Sequence, residues 1–408
     1  MGQKLGVYPL RGVTPLDMRS VDNPYSPGAG TPPPELAGRE NILRLAETAV
    51  LRTKNLRAAK SLMLLGLRGV GKTVLLNRID QIAEEAGCTT AMFEADPDRR
   101  LPELLTQQLH RLLVRLDRRE RVGEQVQKAF SMLRGFASAF RVKFDEFEVG
   151  LSGDVATGDL TIDLTDLLVA IGRAAKSRNT AAAVMIDEVQ YVERGDLSAL
   201  IMALHKISQR QLPLLFFGAG LPQLAKLTGE ARSYAERLFE FPEVGSLDVS
   251  SARAALAEPA KREGVLFDDD ALDLILRETR GYPFFLQMWG YYSWEVAPAT
   301  PITIKHVEVA TERATTVLDE GFFRIRLERL APRQQEYARA MAELGSPAVS
   351  SSAVAEMMEL TVRQAAPIRA DLIEKGTIYS PKRGEAAFTV PKFDEFLKRA
   401  IPEWPATG

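Results

Sequence analysis

Residues 66–73 read GLRGVGKT, set between the apolar run SLMLL (61–65) and VLLNRIDQIAEEAG (74–87). Gly66 opens the spacing G-x-x-x-x-G-K-[ST], which Gly71, Lys72 and Thr73 close, and it does so between a buried-strand pattern and an amphipathic helix. Glycines let successive backbone N–H groups turn inward onto phosphate oxygens, and a helix that starts there adds the positive end of its dipole. In that reading Lys72 reaches the β and γ phosphates and Thr73 is a ligand for Mg²⁺. A glycine-rich turn that happens to carry a lysine is the bland alternative. The flanking pattern argues against it.

Working outward, short apolar runs alternate with helical patterns: TTAMFEA (89–95), AAAVMI (181–186), PLLFF (213–217) and LFEF (238–241). Such alternation predicts an α/β fold, a parallel sheet flanked by helices on both faces. The strands lack polar alternation, as burial on both sides requires. The third run ends in Asp187 and Glu188. Two adjacent carboxylates at the C-terminal edge of a sheet repel unless a cation shares the site. Asp187 is therefore the expected Mg²⁺ holder, and Glu188 the group that polarises the attacking water. A helix N-cap beside a surface acid is the plainer alternative. The cofactor set read from these residues is ATP/ADP with Mg²⁺.

The full sequence has 408 residues, 46% hydrophobic and 26% charged, room for two or three domains. Its formal charge is -2, so no global field attracts nucleic acid or acidic lipid, and any such contact is local. A single cysteine, Cys88, excludes an internal disulfide framework and cysteine-rich zinc sites. Neither a signal-peptide core nor a membrane-length apolar run is found, which fits a reducing cytoplasm and no membrane partner.

Four regions are expected. Residues 1–35 form an extended Pro/Gly-rich arm lying against the domain that follows; 36–248 form the nucleotide-binding core, with an inserted β-hairpin at about 139–165; 249–330 form a helical lid; and 331–408 form a small α+β unit. The Asp268 to Asp270 run reads as a helix N-cap rather than a metal site, and His205 as a structural side chain.

GLRGVGKT together with VMIDE resembles the P-loop ATPases that carry a catalytic glutamate, the AAA+ group and its signalling relatives, the STAND ATPases, over most of residues 31–330. The resemblance implies a nucleotide-contacting set of Gly66, Arg68, Gly69, Val70, Gly71, Lys72, Thr73 and Val74, with Lys72, Glu188 and an arginine finger as catalytic groups. TPPPELAGRE (31–40) resembles the family's N-terminal box around the adenine, which brings in Leu36, Gly38 and Arg39. YAERLFEF (234–241) resembles the finger region, with Arg237 the best match and Arg232 the second. RGYPFFLQ (280–287) resembles a G-x-P signature in which Gly281 and Pro283 pack near the nucleotide. The chain departs from the family at the fourth strand, where LLFFGAGLP places Gly218, Ala219 and Gly220 instead of a polar sensor. Arg280 is at most a weak replacement for a lid sensor. These gaps imply a slow, switch-like ATPase rather than a fast motor.

At the C-terminus, three helical patterns precede TIYSPKRGEAAFTV (377–390), two β-prone runs around a turn. This order resembles a winged helix-turn-helix. It implies that Arg363 and Gln364 face base edges of double-stranded DNA, with Lys382 and Arg383 against phosphates. Residues 331–408 carry ten basic and ten acidic side chains, and Pro367 interrupts the supposed recognition helix, so docking of protein remains an equal alternative. The expected function is thus an ATP-hydrolysing switch acting on DNA or in a DNA-associated assembly, as a homo-oligomer or with a partner protein. The alternatives are a nucleotide-locked interaction module and an ATP-responsive transcription regulator.

Overall fold

The computed structural model describes residues 18–28, 30–117, 123–142, 156–232, 235–345 and 347–403. It divides into two compact units, one comprising the chain up to Gly38 with Ser246–Phe322, the other Arg39–Gly245 with the chain from Phe323 onward.

The second unit is built on a parallel sheet of β1 (Ser61–Leu65), β2 (Thr89–Glu94), β3 (Ala182–Asp187), β4 (Leu214–Gly220) and β5 (Phe239–Glu240). Their order is β2-β3-β4-β1-β5, with every pairing parallel. Continuous apolar stretches such as Ala182–Asp187 are buried at every position, which only a central strand covered on both faces permits. Helices supply that cover: α1 (Glu40–Lys54), α2 (Lys72–Glu85), α3 (Leu101–Asp117), α4 (Glu124–Ala139), α5 (Leu160–Ser177), α6 (Arg194–Gln209), α7 (Leu224–Ala231) and the short α8 (Ala235–Leu238). In α2, Leu75, Leu76, Ile79 and Ala83 fall on one buried stripe at helical spacing.

The hairpin expected at about 139–165 is corrected at both ends. Ala139 closes α4, and residues 160–165 open α5, where the Asp159 carboxylate caps the helix by accepting from the Thr161 and Ile162 N–H groups at 2.8 and 3.2 Å. The alternation Leu160, Ile162, Leu164 imitates a strand, but Leu164, Leu167, Leu168 and Ile171 continue it at the helical period and are buried. Residues 143–155, the middle of that stretch, lie outside the described residues.

The first unit holds α9 (Val249–Arg262), α10 (Asp269–Thr279), α11 (Pro283–Val296) and α12 (Ile304–Val317). The described part of the arm belongs to this unit, packing on helices more than two hundred residues away in sequence. Tyr25 is buried and donates its hydroxyl to Leu256 O, while Asn23 Nδ2 donates to Tyr291 O at 3.2 Å and Glu295 Oε1 at 2.9 Å. Gly290 makes room for the tyrosine, since a Cβ there would lie 2.7 Å from the ring.

After Phe323 the chain adds to the second unit α13 (Arg324–Glu328), α14 (Pro332–Leu344), β6 (Val349–Ser350), α15 (Ser351–Met357), α16 (Val362–Glu374), β7 (Ile378–Tyr379), β8 (Glu385–Phe388) and α17 (Phe393–Ala400). The three strands form a sheet in the order β6-β8-β7 with antiparallel pairings. α16 runs through Pro367 without ending. Among the described residues, no helix is long and apolar enough to cross a membrane.

Candidate active site

Gly66 to Thr73 connect the end of β1 to the start of α2. Gly69 and Gly71 adopt φ of +83° and +94°, a left-handed backbone that glycine takes without a Cβ clash. Gly66 is fixed by space: its N–H donates to Gly220 O at 3.0 Å, and a Cβ there would run into the Val244 carbonyl. Gly71 is the N-cap of α2, with no side-chain cap and no acid in the first turn, so the helix offers its first N–H groups and its positive dipole end to an anion.

Lys72 is buried, with Nζ donating to Leu67 O at 2.9 Å. Burial pulls the Lys72 ammonium below its usual range, and the neighbouring carboxylates of Glu188 and Asp187 work against that shift. Thr73 Oγ1 donates to Asp187 Oδ2 at 2.5 Å. Burial raises the Asp187 carboxyl above the ordinary carboxylate range, partly offset by the Thr73 hydroxyl and the Glu188 N–H, which donates to Oδ1 at 2.8 Å. Glu94, opposite Asp187 in the β2–β3 register, is also raised, first by burial and then by the charges of Asp187 and Glu188.

A divalent cation fits this corner. A hydroxyl and a buried carboxylate already meet there, the carboxylates crowd one another, and a lysine stands beside them for an anionic ligand. Among the described residues, no group of three or more His, Cys, Asp or Glu side chains could hold a metal ion.

β4 lies between β1 and β3, so Thr73 and Asp187 meet across its tip. Gly218 and Gly220 keep that tip thin. A Cβ on Gly218 would lie 2.5 Å from Met63 Sδ, and one on Gly220 would lie 2.6 Å from Gln190 Oε1. Gln190, which the sequence reading missed, donates from Nε2 to Glu188 Oε2 and accepts the Leu221 N–H on Oε1 at 3.0 Å. Its only sequence signal is the spacing of a glutamine two residues after Glu188.

The other expected residues are distributed as follows. Arg39 is buried, and its guanidinium donates to the carbonyls of Val70 (3.2 Å) and Gly245, bracing the loop from behind. Arg68 donates to the Tyr191 hydroxyl and lies against Gly376, where a Cβ would be 2.5 Å from its Nη2. Val70 is buried and Val74 half-buried. Arg237 is exposed on α8, whereas Arg232 Nη2 lies 2.6 Å from Met202 Sδ. Leu36, Gly38, Gly281 and Pro283 belong to the first unit, with Pro283 at the first position of α11. Arg363 is exposed on α16. Gln364, next to it, is committed to the N-terminus of that helix, where its Oε1 accepts the Thr361 N–H at 2.9 Å. Lys382 and Arg383 are exposed in the β7–β8 turn.

This loop, strand and acid arrangement on a parallel sheet defines a P-loop nucleoside triphosphatase. Residues 35–217 match the family model described as AAA ATPase domain. Residues 320–397 match a domain of unknown function (DUF8462). No curated protein sequence matches the chain. Among solved structures it resembles the Walker-type ATPase PABY2304 of Pyrococcus abyssi, with a TM-score of 0.58 and 16% identity over 91% of this chain and 98% of that one. That likeness is one of fold. Looser matches are the Holliday junction branch migration motor RuvB of Thermotoga maritima (TM-score 0.44, 16% identity, 89% and 95% covered) and the ORC1 protein of Aeropyrum pernix, solved in complex with DNA (0.43, 14%, 90% and 93%). These two are too distant to inform the chemistry of this chain.

Proposed function

We propose that the protein is an ATP-hydrolysing switch of the AAA+/STAND type that couples its nucleotide state to the arrangement of the helical lid (249–330) and the C-terminal winged-helix domain (331–408). The observation that carries this is the meeting of Thr73 Oγ1 with Asp187 Oδ2 beside the buried Lys72, with Glu188 next in the chain. Backbone N–H groups of residues 66–73 surround the phosphates, Lys72 neutralises their terminal charge, and Glu188 takes the proton of the attacking water. Thr73 and Asp187 would hold Mg²⁺, which when bound supplies charge neutralisation on the β and γ oxygens. Arg237, exposed on its short helix, is the finger offered to a neighbouring subunit, ahead of Arg232.

Turnover and binding separate the roles. Lys72→Ala is expected to lose ATP binding by calorimetry, and Glu188→Gln to retain binding while turnover falls by about 10²-fold or more. Parent-like hydrolysis by both variants would discard the site.

We further propose that residues 331–408 act as a winged helix on double-stranded DNA, in a cytoplasmic setting. The exposed cations Arg363, Lys382 and Arg383 support this, lying on α16 and the β7–β8 turn. Two phosphate contacts, from Lys382 and Arg383, give a log–log salt slope of about -2, and Lys382→Ala/Arg383→Ala should bring it to about zero. The cap bond of Gln364 and the zero net charge of residues 331–408 favour the second reading, a docking surface for protein. Salt-independent absence of a duplex shift would select it.

A further inference from the structure

We propose that Gln190 positions the Glu188 carboxylate and stands in for the polar side chain that the tip of β4 lacks. The inference rests on the ATPase reading given above and adds a residue to it.

Glu188 adopts φ +51°, and the 3₁₀ turn Val189–Tyr191 that follows folds the chain back so that Gln190 lies beside it. The Gln190 carboxamide is held at both ends. The Leu221 N–H can only donate, so the atom facing it at 3.0 Å is Oε1, and Nε2 is left to donate to Glu188 Oε2. A carboxylate that accepts one fixed N–H keeps a single orientation. Leu221 begins the segment that leads from β4 into α7, so the orientation of Glu188 is tied to the position of β4.

Gly220 gives the independent sign that this place is built. Its φ is not positive, so its backbone does not call for glycine. Space does: a Cβ would sit 2.6 Å from Gln190 Oε1 and 2.9 Å from Leu224 Cδ2. The glycine that removes a sensor from β4 is the one that admits the carboxamide from the β3 side.

The test uses the full chain with ATP and Mg²⁺, measuring kcat, KM, the Kd of a fluorescent ADP and the Tm. Gln190→Met keeps the length and adds no charge but removes the donor to Glu188, so kcat should fall about tenfold or more with KM and Kd within about twofold of the parent. A purely structural glutamine would leave kcat of this variant unchanged, and that result overturns the proposal. Gly220→Ala, which displaces the carboxamide, should lower kcat similarly, and the double variant with Gln190→Ala should be no slower than the worse single variant. Multiplying losses would equally overturn it. If the parent turns over ATP and Glu188→Gln does not, while Gln190→Met is unimpaired, only this inference fails. A parent without turnover removes both.

Discussion

Asp196, in the first turn of α6, illustrates how single residues in this molecule carry costs of burial. Its side chain is nearly excluded from solvent, Oδ2 has no hydrogen-bond partner, and burial raises its carboxyl above the ordinary range, with Glu193 adding to the shift and Arg100 and the Leu101 N–H opposing it. An acid with a raised folded pKa binds more protons folded than unfolded, so stability falls as pH rises between the two values. Asp196→Asn is expected to flatten that fall and to raise the Tm at pH 7 by about 2–4 °C for each kcal/mol gained. Thermal melts from pH 4 to 8 check it. A lower Tm at every pH would mean that the charge is satisfied. At this scale Lys72, Thr73, Asp187 and Glu188 were legible because the P-loop and the strand end announce themselves in consecutive residues. Gln190 was not, since its meaning depends on a strand that lies about thirty residues further along.

At the scale of elements, the sequence reading succeeded where a motif set both ends. The flanks of GLRGVGKT predict β1 and α2, and the apolar runs predict the other four strands. It failed at 160–165, where apolar residues spaced by two satisfied both periods until Asp159 revealed the cap. The R-G-Y-P stretch shows a different limit. Arg280 and Gly281 have φ of +52° and +68°, Leu247 N–H donates to Gly281 O at 2.9 Å, and Pro283 starts α11, so the signature is also a helix stop and restart. A Cβ on Gly281 would strike the Leu247 carbonyl. Gly281→Ala should therefore destabilise the helical unit by about 1–3 kcal/mol, while Pro283→Ala should change stability little and reveal through nucleotide Kd whether the proline meets a ligand. Equal melts for Gly281→Ala and the parent would contradict the turn geometry.

For the whole molecule, the composition of the two units was the least legible feature. The arm reads as an appendage, yet Tyr25 fills a pocket over Gly290, Trp294 Nε1 donates to Arg19 O at 3.1 Å, and Arg262 pairs with Glu35. Pairings across more than two hundred residues leave no local periodicity to read. Tyr25→Ala should cost about 3–5 kcal/mol, the range of a large buried aromatic, and calorimetry should show it in one of two unfolding transitions with the other unmoved. A uniform shift of both would mean that the units melt as one body.

Because each unit is assembled from two separated stretches of chain, neither can be finished in the order of synthesis. Residues 18–38 leave the ribosome long before the helices they pack on, and the nucleotide core waits for residues beyond Phe323 to complete its own contacts. A nascent chain therefore passes through a long interval in which Tyr25 and its neighbours have nothing to cover them, and loop closure of this length slows the final step. Its apolar surfaces are therefore most open to aggregation while the chain is still being made.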